Sequence, residues 1–323
     1  MMNYNVYAFV RRMKMIYAYS AISDLSLEAQ ELLKNAGIEL TINSDKRPDE
    51  TELIELVQQY DMIIIGAKEK MTRNVFNSAT RLSIIATLSI GTDHISQEFK
   101  ESTRHTIINT PNANVISVAE HTFALILALK KRILEGNKAV LLNTGRDGLL
   151  RKPEDLTGRV LGVIGAGRIA HEVIKISKVF SMKILCYTYH PECHPDMLND
   201  NVEFVNLEDL LSNSDIITLH LPLTEQSLNL INEQRLNLIR NDAILINTSR
   251  AEIVDIASAI SKASKEPSFY LGMDIDAEEY HYLFNAEQRN VIITPHIAGV
   301  SIDAIMRMDL ELAQNVISYI QRV

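Results

Sequence analysis

Short apolar runs alternate with amphipathic, helix-length stretches along the chain. The first series reads MIYAY (15–19), LSLEAQELLKNAG (25–37), IELTI (38–42), DETELIELVQQY (49–60), MIIIGA (62–67), a helical stretch ending near Ala79, and LSIIATLS (82–89). Strands buried on both faces appear as continuous apolar runs, and parallel neighbours need crossovers of a dozen or so residues, which the intervening helices supply. The pattern therefore predicts a parallel sheet with helices on both faces. A long apolar-rich helix is predicted from Val115 to Leu134. From Asn137 to Glu154 the periodicity fades and Asn143, Gly145, Gly148 and Pro153 collect, as expected of a protruding connection. A second βαβ series begins at RVLGVIGAG (159–167) and continues through KILCY, VEFV, IITLHL, AILINTS, FYLGMD and VIITPH, ending at His296. The last helix, Ile302 to Arg322, is not needed by that series and is assigned back to the first.

Length and composition agree with this picture. A chain of 323 residues suggests about two domains. With 46% hydrophobic and 23% charged residues it resembles an ordinary folded globule. A formal charge of −9 offers no footprint for a phosphate backbone, so nucleic-acid binding is not expected. Two cysteines, Cys186 and Cys193, are too few for a disulfide framework and suit a reducing cytoplasm. Asn3, Asn5, Arg11, Arg12 and Lys14 interrupt the opening apolar residues, so no signal peptide is drawn. The run FALILAL (123–129) is far shorter than the ~18 apolar residues of a spanning helix, so no membrane partner is expected.

Gly165, Gly167 and Ala170 form G-x-G-x-x-A between an apolar strand and a helical segment from Arg168 to Phe180. In a dinucleotide-binding turn the first Gly permits the tight bend and the second lets backbone approach a pyrophosphate. The small third residue lets helix and strand pack closely. The acid that usually follows ~20 residues later to hold a ribose 2′-hydroxyl is missing. The strand KILCY ends instead in Thr188, Tyr189, His190 and Pro191, which leaves NAD or NADP as the cofactor. The cluster Cys186, His190, Cys193, His194 matches no common zinc module, and no metal is expected.

Three chemically capable residues follow late strands: Arg250 in INTSRAEIVD, Glu279 after GMDID, and His296 in ITPHIAG. An Arg fork binds a carboxylate bidentately, a His exchanges a proton near neutral pH, and a carboxylate beside that His orients it.

With these residues the chain resembles the D-isomer-specific 2-hydroxyacid dehydrogenase family, from about Met13 to the end. The segments that carry the resemblance are SIGTDHI (89–95), NTPNANVISVAEHT (109–122), LGVIGAGRIA (161–170), LHLPLT (219–224), INTSRAEIVD (246–255), LGMDI (271–275) and TPHIAG (294–299). The resemblance implies an α/β fold of two Rossmann-like, doubly wound parallel-sheet domains with an active-site cleft between them. Residues 1–113 with 299–323 would form a discontinuous substrate domain. Residues 114–298 would bind the dinucleotide and carry a dimerisation helix and arm at about 115–155, making a homodimer. It implies hydride transfer between NAD or NADP and a small D-2-hydroxy or 2-keto acid. Arg250 would clamp the carboxylate and polarise the ketone, His296 would donate and accept the proton, and Glu279 would pair with His296. Ser89, Ile90, Gly91 and Asn114 would hold the substrate. Arg168 and Ile169 would lie on the pyrophosphate and Thr188 near the adenosine ribose, with His220, Pro222, Thr248, Ser249 and Asp274 along the nicotinamide half.

The chain also departs from the family pattern. Ala251 replaces the glycine usual after the catalytic Arg, no Pro follows Glu279, and the Trp of the dimerisation arm is absent. Gly66, Ala67 and Lys68 stand where the phosphoglycerate branch has Arg-Ser, which disfavours a phosphorylated substrate. Two alternatives are a nicotinamide-sensing corepressor-like protein and a formate dehydrogenase. The latter pairs its His with Gln rather than an acid, so Glu279 argues against it.

Overall fold

The computed structural model describes residues 14–17, 25–42, 47–194, 197, 202–276, 280–284 and 288–322. The chain divides into two compact units, Met1–Asn114 with Ser301–Val323, and Val115–Val300.

The first unit is built on five parallel strands: β1 (Lys14–Tyr17), β2 (Glu39–Ile42), β3 (Met62–Ile65), β4 (Ile84–Thr87) and β5 (Thr106–Ile108). Their order is β2-β1-β3-β4-β5, a doubly wound arrangement. Every residue of β3 is buried because side chains alternate between two cores. Met62 and Ile64 face the helices Leu27–Asn35 and Ile302–Ile320, while Ile63 and Ile65 pack with Leu53, Val75 and Phe99. The C-terminal helix belongs to this unit through that core and through Asp309. The buried Asp309 carboxylate accepts the backbone N–H of Ser26, the N-cap of Leu27–Asn35, at 2.8 Å.

The second unit holds seven parallel strands: β6 (Val160–Ile164), β7 (Lys183–Tyr187), β8 (Val202–Phe204), β9 (Ile216–Leu219), β10 (Ile244–Asn247), β11 (Tyr270–Asp274) and β12 (Val291–Thr294). They run in the order β12-β11-β10-β9-β6-β7-β8. The strand order reverses between β6 and β9, and in open α/β sheets ligands bind outside the carboxyl ends of strands at such a switch. Helices Val115–Lys130 and Arg168–Val179 cover one face, Leu207–Asn213 and Ile256–Lys265 the other.

The long helix predicted to reach Leu134 ends at Lys130. Arg132 takes a left-handed conformation (φ 56°), and a second helix runs from Ile133 to Leu141, where an irregular connection was expected. The break is fixed by two buried cations. Lys130 Nζ lies 3.1 Å from Glu154 Oε2, and the Arg132 guanidinium lies 3.7 Å from the centre of the Tyr270 ring while Nη1 donates to Leu129 O. Periodicity does not report such pairings. The second helix and the connection after it expose Ile133, Leu134, Val140, Leu141, Leu142 and Leu150. Among the described residues no helix is long and apolar enough to cross a membrane, and no group of His, Cys, Asp and Glu could hold a metal ion.

Just past β9, His220 is 9% exposed, and its Nε2 lies 2.9 Å from Thr218 Oγ1. Burial pushes its pKa down from 6.5 to about 3. The folded chain thus binds fewer protons at this site than the unfolded chain, so the stability present above pH 6.5 is lost as the pH falls toward 3. Urea titrations at pH 7 and pH 5 should show a loss on the order of 2 kcal/mol from this group. His220→Gln should remove that part of the pH dependence, and an unchanged difference would assign it elsewhere.

Candidate active site

The phosphate turn begins directly after β6. Gly165 has φ +105°, donates its N–H to Tyr187 O at 2.8 Å, and lies so close to the chain leaving β9 that an added Cβ would stand 2.4 Å from His220 O. Only glycine satisfies both conditions. A Cβ on Gly167 would meet nothing within 4 Å, so its backbone faces open space. Gly167 caps the helix Arg168–Val179 without a side-chain acceptor. The first-turn N–H groups and the positive end of the helix dipole are therefore available to an anion. Ala170 is fully buried among Val163, Val173 and Ile174, the close packing expected of the third small residue. Arg168 and Ile169 occupy that first turn. The turn fits a dinucleotide pyrophosphate.

Along the rim, Thr188 is half-buried at the end of β7, next to Tyr187 and Tyr189, whose rings meet edge to face at 5.6 Å. Tyr189 Oη donates to Gln226 O at 3.1 Å, and exposed His190 pairs with Glu192 at 3.2 Å. Pro222 O accepts Ser227 Oγ at 2.6 Å, closing the turn after β9. Cys186 points into the core, where desolvation raises its thiol pKa to about 12, while Cys193 is exposed.

The late strands β10, β11 and β12 are neighbours, and each leads at its carboxyl end into a segment with candidate residues. After β10, buried Asn247 braces the turn: its Nδ2 donates to Arg250 O at 2.8 Å and its Oδ1 accepts Ser249 N at 3.0 Å. Ser249 Oγ donates to Leu219 O at 2.6 Å, and Thr248 Oγ1 lies 3.0 Å from Thr122 Oγ1. Arg250 Nη1 donates to Ser249 O at 3.0 Å. Two strands over, about 10 Å at ordinary strand spacing, His296 follows β12 with φ +55°. Its Nδ1 lies 2.8 Å from Asp276 Oδ2. Between them, Asp274 is 1% exposed and fully engaged by its own chain. Oδ1 accepts Thr294 Oγ1 at 2.6 Å and Ile297 N at 2.8 Å, and Oδ2 accepts Ala298 N at 2.7 Å. His121 Nε2 adds a 2.9 Å contact to Thr294 Oγ1. Glu279 lies outside the described residues.

In the first unit, the loop after β4 has all three of its carbonyls held. Ser89 O accepts Thr110 N at 3.1 Å, Ile90 O accepts Asn109 Nδ2 at 2.7 Å, and Gly91 O accepts Ser89 Oγ at 2.6 Å. Thr87 Oγ1 links Ser89 Oγ and His94 Nε2, each at 2.9 Å. Asn114 carries a buried Oδ1 without a hydrogen-bond partner. Sequence reasoning missed the braces Asn247, His121 and His94, and it held Asp276, with Glu278, only as a fallback to Glu279 as the partner of His296. The signal for Asp276 is its spacing, since it stands two residues past Asp274 as His296 stands two past Thr294.

Residues 123–298 match the family model described as D-isomer specific 2-hydroxyacid dehydrogenase, NAD binding domain. A glyoxylate reductase of Thermofilum pendens is 34% identical over 295 residues, spanning 86% of this chain and 84% of that protein. The crystal structure of D-lactate dehydrogenase from Aquifex aeolicus, complexed with NAD and lactic acid, aligns with a TM-score of 0.79 at 27% identity, covering 96% of each chain. An acyclic imino acid reductase, Bsp5, in complex with NADPH and D-Arg, aligns with a TM-score of 0.82 at 25% identity, over 96% of this chain and 98% of the other. A Rossmann-type sheet with a glycine turn open to a pyrophosphate, this matched domain and a relative of 34% identity lead to one conclusion: the chain belongs to the D-isomer specific 2-hydroxyacid dehydrogenase family, oxidoreductases that use a nicotinamide dinucleotide.

Proposed function

We propose that the chain interconverts a small 2-keto acid and its D-2-hydroxy acid, with glyoxylate, the substrate named for its relatives, first among the candidates. The observation that carries this reading is the convergence of Arg250 and His296 on the carboxyl ends of nearby strands in the sheet that bears the Gly165–Gly167 turn. Gly165, Gly167, Arg168 and Ile169 would hold the pyrophosphate, Thr188 the adenosine ribose, and His220, Pro222, Thr248 and Ser249 the nicotinamide half. A bound nicotinamide supplies the hydride for the carbonyl carbon in reduction and accepts it back in oxidation. Arg250 grips the carboxylate with its two-pronged guanidinium and withdraws charge from the ketone. The backbone of Ser89, Ile90 and Gly91, with Asn114, forms a carboxylate cradle in the first unit. His296 gives its Nε2 proton to the carbonyl oxygen as the alkoxide develops and takes it back in the reverse direction. Glu279 stands, by its place in the family pattern, as a carboxylate of the same acid-base group. Buried His220, neutral at physiological pH, does not compete as a proton donor. The apolar ridge of Ile133, Leu134, Val140 and Leu141 suits the pairing of two copies.

His296→Ala should lower kcat for glyoxylate reduction by about 10²–10⁴-fold, while NADH affinity, read from nicotinamide fluorescence, stays within about twofold; near-wild-type turnover would refute the assignment. Arg250→Lys should lose at least about tenfold in kcat/KM, because an ammonium cannot reproduce the bidentate grip. A smaller loss would mean that another group holds the substrate. Thr188→Asp should shift the NADH to NADPH preference by about tenfold or more toward NADH, since a carboxylate there binds ribose hydroxyls and repels a 2′-phosphate. Steady-state kinetics with both cofactors decides; an unmoved ratio would make Thr188 a bystander.

A further inference from the structure

We propose that Asp276 is the positioning carboxylate of His296, fixing its ring so that Nε2 faces the substrate; the inference rests on the reading of His296 as proton donor. The pairing is a product of strand register. Strands β11 and β12 run parallel with Asp274 opposite Thr294, and the ladder continues past the strand end through Ile275 N, which donates to Thr294 O at 3.1 Å. Two residues beyond the end of each strand stand Asp276 and His296, and their side chains meet at 2.8 Å between Oδ2 and Nδ1.

The backbone of His296 is shaped to the same end. Its left-handed conformation is uncommon outside glycine. It is held by His296 N donating to Thr294 O at 3.0 Å and by the two Asp274 oxygens on Ile297 N and Ala298 N. Successive side chains along an extended segment point to opposite faces, so Asp274 and Asp276 emerge on the same side. The buried carboxylate braces the turn and the outer one meets the ring.

Exposure separates this pair from a merely structural one. The Asp276 side chain is 52% exposed and that of His296 35%, and so open an ion pair contributes little to folding. What it does decide is the tautomer. With Nδ1–H directed at a carboxylate, the remaining nitrogen, Nε2, is the one left to exchange a proton with a ligand. Asp276 lies only two residues past the end of β11, and orientation within a fraction of an ångström governs proton transfer.

The test uses the full-length chain with NADH and glyoxylate, together with ¹⁵N-histidine labelling. In the wild type, a two-bond ¹H–¹⁵N spectrum recorded at a pH where His296 is neutral should show the Nδ1–H tautomer, and this measurement needs no variant to fold. Asp276→Asn should lower kcat about 10- to 100-fold with the KM for glyoxylate and the Kd for NADH within about twofold, and should shift His296 toward the Nε2–H tautomer. Asp276→Glu should recover part of kcat. An Nε2–H tautomer in the wild type, or an Asp276→Asn enzyme within about twofold of wild-type kcat beside a Glu279→Gln enzyme that has lost it, would overturn the proposal. Failure of the underlying reading shows differently, as an active His296→Ala enzyme.

Discussion

The Asp274 carboxylate is withdrawn from water at the end of β11 and accepts three hydrogen bonds from β12 and the chain just past it. A buried charge is tolerated only when its lone pairs are satisfied, and losing a partner would leave a desolvated anion. That requirement ties Thr294, Ile297 and Ala298 to one point and forces His296, between them, into a conformation that the residue would otherwise avoid. The turn after β12 depends on this anchor. The ring of His296 can meet Asp276 because its backbone has already been turned.

The same unit separates two histidines by environment. His220 lies against the Gly165 turn, where burial keeps it neutral and its backbone carbonyl occupies the space that any side chain at position 165 would need. His296 sits at the edge of the sheet, partly exposed and beside a carboxylate. An imidazole kept neutral by burial serves as packing, whereas one at the sheet edge stays in reach of solvent. Position along the sheet, rather than residue type, sets the two environments.

The break after Lys130 has a comparable origin. Lys130 and Arg132 are both buried, and each must find an anion, a carbonyl or a ring face. Meeting those demands bends the chain through a left-handed residue and sends the next helix out with an apolar ridge uncovered.

Much of this was legible in the sequence. The alternation of apolar runs with amphipathic stretches sufficed for two doubly wound parallel sheets, because buried strands and crossover helices have different periods. The G-x-G-x-x-A spacing located the phosphate turn, since the conformation that Gly165 must adopt is a demand of a few neighbouring bonds. Arg250 and His296 could be placed because each follows an apolar strand at its carboxyl end. What the sequence could not contain is which groups meet across strands. Asp276 contacts His296 through a register set by β11 and β12 together. Asp274 braces a turn that begins 20 residues further on, and Arg132 ends a helix by lying over Tyr270, 138 positions away. Such contacts depend on the packing of distant segments, where burial turns an ordinary polar side chain into one that must be satisfied, and only the tertiary structure decides by whom.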